Sequence, residues 1–208
     1  MKRSKKVKKS NTWKIKQHRD QFFKKSKILG YRSRAAFKLI ELNNKFKFIK
    51  KNTNLLDLGS CPGGWSQVAS KLITDGKVLS IDIKQMKPIY NVKFLHCNFF
   101  ESSTKDKIKN YIKGELDVVV SDMAADTTGN KSLDSIRTNQ LCSKALESST
   151  EMLKQEGVFV SKLFMGDDFI TVKDLAKSLF KDVNFFKPQS SKTESKETYI
   201  HCKILKTL

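Results

Sequence analysis

The stretch Leu55-Leu56-Asp57-Leu58-Gly59-Ser60-Cys61-Pro62-Gly63-Gly64-Trp65-Ser66 constrains this chain more than any other. A short apolar run breaks into glycines and resumes as a helical pattern, which is how a strand, a turn and a helix enclose a ligand loop. Without a Cβ, Gly59, Gly63 and Gly64 permit positive φ and a close backbone approach to a ligand. A phosphate-cradling loop needs Lys directly after its second fixed glycine. Gly59 and Gly64 have that spacing, but Trp65 follows, so nothing neutralises a triphosphate. A dinucleotide fingerprint needs glycine at position 61, where the backbone meets the pyrophosphate, and Cys61 stands there. What survives is a loop for a cofactor with an adenosine and a small tail free of phosphate, which S-adenosylmethionine offers. On the loop alone, an ordinary glycine turn between strand and helix remains the alternative.

Around this loop, strand-like runs alternate with helical patterns. After Leu55 to Leu58 come a helix from about Trp65 to Ile73, then Val78 to Ile83, then Phe94 to Cys97 with a helix at Ile108 to Ile112. Leu116 to Ser121 precedes a long helix from Leu133 to Leu153, and Val158 to Phe164 precedes another from Phe169 to Phe180. Such alternation predicts an α/β architecture with a mostly parallel, doubly wound sheet covered on both faces. Val183 to Phe186 and Thr198 to Leu205 follow without a long helix between them and read as a closing hairpin. Upstream, Ser33 is expected to cap a helix through Ala36, Phe37, Leu39 and Ile40, with Phe37 and Ile40 turned inward and Lys38 on another face.

The 208 residues suit one domain, and 38% hydrophobic residues suffice for its core. The formal net charge of +20 exceeds what solubility requires and points to a polyanionic partner: RNA, DNA or an acidic membrane surface. Over half of it sits in residues 1–30, where twelve Lys or Arg face the single acid Asp20. This segment reads as a basic, partly disordered N-terminal extension. Trp13, Phe22 and Phe23 interleave with its charge, as in segments that grip nucleic acid by phosphate contact and stacking. A solvated tail with docked aromatics and a mitochondrial presequence are the competing readings. No apolar run approaches the roughly 18 residues needed to span a bilayer, and no secretory signal core is expected. Cys61, Cys97, Cys142 and Cys202 form no Cys-x-x-Cys pair and lie far from the three histidines, so neither a metal site nor a disulfide framework is suggested. A reducing cytosol fits this usage.

In an open α/β sheet the ligand crevice lies beyond the carboxyl ends of the strands, so polar residues that end apolar runs are the site candidates. Asp82 follows Val78 to Ile81, roughly 20 residues past the glycine loop, where a carboxylate can accept both ribose hydroxyls. Asn98 follows Phe94 to Cys97 and can read an adenine edge through its amide, or be a loop residue in water. Asp122 ends the run Val118 to Ser121. Lys162 lies between Val160 and Leu163-Phe164, where an unpaired ammonium would carry a heavy desolvation cost.

Five motifs in order now carry a resemblance: Ser33-Arg34-Ala35-Ala36-Phe37-Lys38-Leu39, Pro62-Gly63-Gly64-Trp65-Ser66, Ser121-Asp122-Met123-Ala124, Ser161-Lys162-Leu163-Phe164 and Ser195-Lys196-Glu197-Thr198-Tyr199-Ile200. Over roughly residues 20–205 the chain resembles the FtsJ/RrmJ family of S-adenosylmethionine-dependent ribosomal RNA 2'-O-methyltransferases. The resemblance implies a Rossmann-like methyltransferase fold over residues 31–208, with seven strands of which the last is antiparallel. It also implies a catalytic tetrad of Lys38, Asp122, Lys162 and Glu197, and cofactor contacts from Gly63, Trp65, Asp82, Asn98 and Asp122. The chain departs from the family where Asn98 replaces the usual Asp and Ala125 the usual Pro. The implied activity is methylation of a uridine 2'-hydroxyl in large-subunit ribosomal RNA, by a cytoplasmic monomer that supports ribosome assembly. Transfer RNA methylation and a noncatalytic RNA-binding assembly factor are the alternatives; a nicotinamide oxidoreductase is disfavoured by Cys61.

Overall fold

The computed structural model describes residues 20–166 and 168–207, so the tail before Asp20 lies outside the described residues. Helices α1 (Gln21–Ile28) and α2 (Ala35–Phe46) lead into β1 (Leu55–Leu58), α3 (Gly64–Leu72), β2 (Val78–Asp82) and β3 (Val92–His96). There follow α4 (Ser102–Ile112), β4 (Leu116–Ser121), α5 (Lys131–Thr150), β5 (Leu153–Phe164), α6 (Phe169–Leu179), β6 (Phe180–Phe186) and β7 (Glu197–Leu205). The strands form one seven-stranded sheet in the order β3-β2-β1-β4-β5-β7-β6. β1 to β5 are parallel, and β7 runs antiparallel to both β5 and β6. The final hairpin therefore closes with its second strand inserted between β5 and β6. The order reverses between β1 and β4, and the carboxyl ends of two such strands are where a doubly wound sheet takes its ligand.

Strand periodicity decides which side chains meet. Successive side chains of a strand point to opposite faces. Val118 and Val120 of β4, Val158 and Val160 of β5 and Tyr199 of β7 lie in one core with Leu39 and Leu42 of α2 and Trp65 and Val68 of α3. Val119, Phe159 and Ile200 lie in the other core, against Ile108 of α4, Leu146 of α5 and Val172 of α6. Extending that alternation by two residues puts Asp122, Lys162 and Glu197 on the face covered by α2, and Lys38 belongs to α2. The tetrad is thus assembled by the period of three strands and one helix.

Ser33 does not cap α2 with its side chain. The N-cap residue is Arg34, and the Ser33 hydroxyl is buried with no hydrogen-bond partner among the described residues. Its backbone carbonyl accepts from Ala36 N at 3.3 Å instead. The inward face of α2 is Ala36, Phe37, Leu39 and Leu42, with Ile40 half-buried at its flank. α1, read in sequence as part of a basic extension, packs on α2: Asp20 caps α1 through Phe22 N and Phe23 N and pairs with Arg34, and Phe22 meets Phe37 at 5.5 Å between ring centroids.

Candidate active site

Strand register brings Lys162 of β5 directly opposite Tyr199 of β7, and Phe164 opposite Glu197. On the other side of β5, Ser161 pairs with Ser121, so the residue after β4, Asp122, comes beside Lys162. The Lys162 ammonium donates to the Asp122 backbone carbonyl at 2.7 Å and lies 3.2 Å from Asp122 Oδ1. From α2, Lys38 Nζ reaches Glu197 Oε1 at 2.7 Å. The Tyr199 hydroxyl donates to Asp122 Oδ1 at 2.8 Å, and Lys38 lies over the Tyr199 ring, 5.6 Å from its centroid. The four implied tetrad residues are therefore one group of two lysine–carboxylate pairs joined through Tyr199.

Two positive and two negative charges can share a buried place because each meets an opposite partner; alone, any of them would bear a desolvation cost of several kcal/mol. Lys162 is 7% exposed. Burial would lower the Lys38 ammonium, but the carboxylates of Asp122 and Glu197 outweigh it and hold Lys38 above the usual lysine value. Burial would likewise raise the Asp122 carboxyl, yet Lys162 and Lys38 hold it below the usual carboxylate value. Burial pushes the Tyr199 phenol up, and the Asp122 and Glu197 charges push it further, so it stays a proton donor. A lysine ammonium carries three N–H donors. Lys162 aims two at Asp122, which leaves one for an incoming oxygen.

The glycine loop lies at the carboxyl end of β1. Gly59 and Gly63 have φ of +70° and +107°, as the turn requires. Their close approaches are to protein groups: a Cβ on Gly59 would run into the Met123 side chain, and one on Gly63 would meet Ile89 Cδ1 at 2.6 Å. Asp82 accepts from Cys61 N at 2.8 Å through Oδ2 and from Lys84 N at 2.7 Å through Oδ1, which ties the end of β2 to the loop. A carboxylate has about four lone-pair sites, so each oxygen of Asp82 retains capacity for a ribose hydroxyl. Asn98 is exposed just beyond β3, with Oδ1 accepting from Phe100 N at 3.1 Å. Trp65 is buried at 3% exposure; its indole N–H donates to Ala35 O at 2.8 Å and its ring packs 5.8 Å from Tyr199. Its side chain belongs to the α2–α3 packing, so what it can offer a cofactor is its backbone. Arg32, which the sequence did not single out, donates to Pro62 O at 3.2 Å and to Lys87 O and Pro88 O at 2.6 Å each. It clamps the segment after β2 to the glycine loop.

This donor set fits S-adenosylmethionine: a carboxylate with lone pairs to accept ribose hydroxyls, an exposed amide and a glycine backbone, with the Arg32 guanidinium spent on carbonyls rather than left for a pyrophosphate. Tyr199 was missed as a member of the site, although its position two residues after Glu197 on one strand places it on the same face. Among the described residues no group of three or more His, Cys, Asp or Glu could hold a metal ion, and no helix is long and apolar enough to cross a membrane.

Sheet order, crevice position and site together define a methyltransferase of the doubly wound α/β class. The family model of FtsJ-like methyltransferases matches residues 31–205. The chain belongs to this family and is an S-adenosylmethionine-dependent methyltransferase. It is 47% identical over 197 residues to the ribosomal RNA large subunit methyltransferase E of Pelagibacter ubique, covering 95% of this chain and 97% of that protein. The protein of the same name from Rickettsia akari is 44% identical, covering 92% and 87%. A crystal structure of a ribosomal RNA methyltransferase from Plasmodium falciparum superposes with a TM-score of 0.75 at 33% identity, covering 84% of this chain and 98% of that one.

Proposed function

We propose that the chain methylates the ribose 2'-hydroxyl of a uridine in large-subunit (23S) ribosomal RNA. The observation that carries this reading is the joined pair of lysine–carboxylate contacts on the face of α2. A ribose hydroxyl is a weak nucleophile at neutral pH, so the protein's task is alignment and help for the departing proton. S-adenosylmethionine supplies a methyl group already activated on a sulfonium sulfur. Gly63, the Trp65 backbone, Asp82, Asn98 and Asp122 would hold it. Lys162 donates its remaining N–H to the 2'-oxygen and fixes its position. Lys38 holds Glu197 in place by their ion pair, and Asp122 and Tyr199 hold Lys162 in line. The hydroxyl proton leaves to water.

The named relatives support ribosomal RNA as the substrate, and the net charge of +20 supports a polyanion. In this proposal the nine basic residues from Lys2 to Arg19 add phosphate contacts. One chain contains the whole tetrad, which supports a monomer, acting in the cytoplasm where subunits are assembled. The test is to incubate the protein with methyl-labelled S-adenosylmethionine and undermethylated large subunits, then map 2'-O-methyl groups. Label on one uridine of 23S RNA is expected. Label confined to transfer RNA, or no transfer to any RNA, overturns the reading.

A further inference from the structure

The segment between β6 and β7, residues 187–196, presents the tetrad carboxylate, and it is anchored to the helix that carries Lys38. Glu41 accepts from Gln189 N at 2.5 Å through Oε2 and from Ser190 N at 3.0 Å through Oε1. Arg34, also at α2, donates to the Ser190 carbonyl. Ser191, held with its own N–H on Pro188 O at 3.0 Å, donates its hydroxyl to Glu197 Oε1 at 2.8 Å. That oxygen is the one Lys38 reaches at 2.7 Å. Lys38 and Glu41 are three residues apart and so lie on one side of α2. A ring of contacts results: helix, loop, Ser191, Glu197, Lys38 and back to the helix.

We infer that Glu41 and Ser191 are positioning residues for the reaction, acting through Glu197. The inference deepens the proposed function and rests on its tetrad. A ten-residue loop left to itself would sample many conformations, and ordering it has a cost in backbone entropy. Glu41 offsets part of that cost with two charge-assisted bonds to consecutive backbone N–H groups, which fix the chain direction just before Ser191. Lys187 closes the other side, donating to Thr193 O at 3.3 Å and Ser195 O at 2.6 Å. Ser190 is fully buried and Ser191 nearly so, so the anchored portion faces the protein rather than solvent. With Ser191 and Lys38 both on Oε1 and the Tyr199 hydroxyl hydrogen-bonded to the same carboxyl, the rotation of the Glu197 side chain is set. Among the described residues the hydrogen bonds of Glu41 go to the loop backbone and not to the tetrad, so its effect passes along the loop.

The experiment compares Glu41→Gln, Ser191→Ala and the double variant in single-turnover methylation of undermethylated large subunits. Cofactor affinity by calorimetry, RNA affinity and melting are followed in parallel. Gln at 41 keeps the shape but turns an N–H donor toward a backbone N–H; Ser191→Ala removes one hydroxyl and is the variant of choice if the first melts early. Each single variant is expected to lower the rate at saturating RNA and cofactor by about 10- to 100-fold, the scale of an ångström-level misplacement. Both affinities stay within about twofold. The double variant is expected to be no slower than the worse single one, because both act along one path. Rates at the parent level in both singles, losses that multiply in the double variant, or losses confined to RNA affinity or melting overturn the inference. Lys162→Met is run alongside: if it too keeps the parent rate, the tetrad reading fails with the inference; if it is inactive while the singles are not, the inference alone fails.

Discussion

Lys162 and Tyr199 stand opposite each other across β5 and β7 and converge on one atom, Asp122 Oδ1, at 3.2 and 2.8 Å. The carboxylate thereby fixes both the ammonium and the phenol, and it couples the centre of the sheet to α2 through the Tyr199 ring under Lys38. Asp122 is the hub of the site because it is the first residue past β4, at the point where three strands and the helix meet.

Replacing Lys162 with Met keeps the length of the side chain and removes its charge. The loss of an aligned donor or base is expected to slow single-turnover methylation by about 100- to 10,000-fold. Asp122 would keep Tyr199 and lose its ion partner, so unfolding free energy is expected to fall by about 3–5 kcal/mol. Rapid-quench rates and urea titration measure the two effects separately; a rate within threefold of the parent would remove Lys162 from the chemistry.

Tyr199→Phe deletes one hydroxyl and preserves the ring beneath Lys38. A buried bond to a charged group is worth about 1.5–3 kcal/mol. The variant is expected to lose about 10- to 150-fold in rate if that energy serves the aligned state, with cofactor affinity unchanged. Unaltered turnover alongside lowered stability would mean that the hydroxyl serves folding only.

Asp82→Ala removes the acceptor proposed for the ribose hydroxyls together with the partner of Cys61 N and Lys84 N. Cofactor affinity is expected to fall about 5- to 150-fold, corresponding to about 1–3 kcal/mol for unsatisfied polar groups. Titration calorimetry with S-adenosylmethionine reads this directly. Affinity equal to the parent's would move the ribose elsewhere in the crevice.

Asp57, fully buried on β1, takes a hydrogen bond from Ser66 Oγ at 2.6 Å, and Ser66 in turn meets Ser80 Oγ at 2.8 Å. Burial pushes its carboxyl up to about 7 from the ordinary 3.8; the Ser66 bond opposes this, and the Asp122 and Asp82 charges add to it. In the unfolded chain the proton leaves near the ordinary value. The folded state is therefore favoured by this group below about pH 4, and that contribution is lost as pH rises to about 7. About three pH units at 1.36 kcal/mol each amount to something on the order of 4 kcal/mol. Relative to Asp57→Asn, the parent is expected to lose stability across this window and stay level above it. Urea unfolding of both proteins from pH 4 to pH 8 checks the sign; a constant difference would show that Asp57 does not titrate there.

Much of this was legible along the chain because it is locally encoded. The glycines at 59 and 63, the apolar runs and the polar residues that end them at 82, 98 and 122 follow from short-range periodicity and turn chemistry, which need no distant contact. The motifs around Lys38, Asp122, Lys162 and Glu197 pointed, through the family resemblance, to four residues that the structure brings together. Which lysine meets which carboxylate is a different kind of fact. It depends on β7 inserting between β5 and β6 and on contacts that join residues 40 and 159 positions apart, Asp122 with Lys162 and Lys38 with Glu197. The same long-range packing turned Trp65 inward, left the Ser33 hydroxyl without a hydrogen-bond partner among the described residues and made Tyr199, Arg32 and Glu41 part of the site's frame. Periodicity says which face a side chain occupies; only the packed sheet and helix say what it finds there.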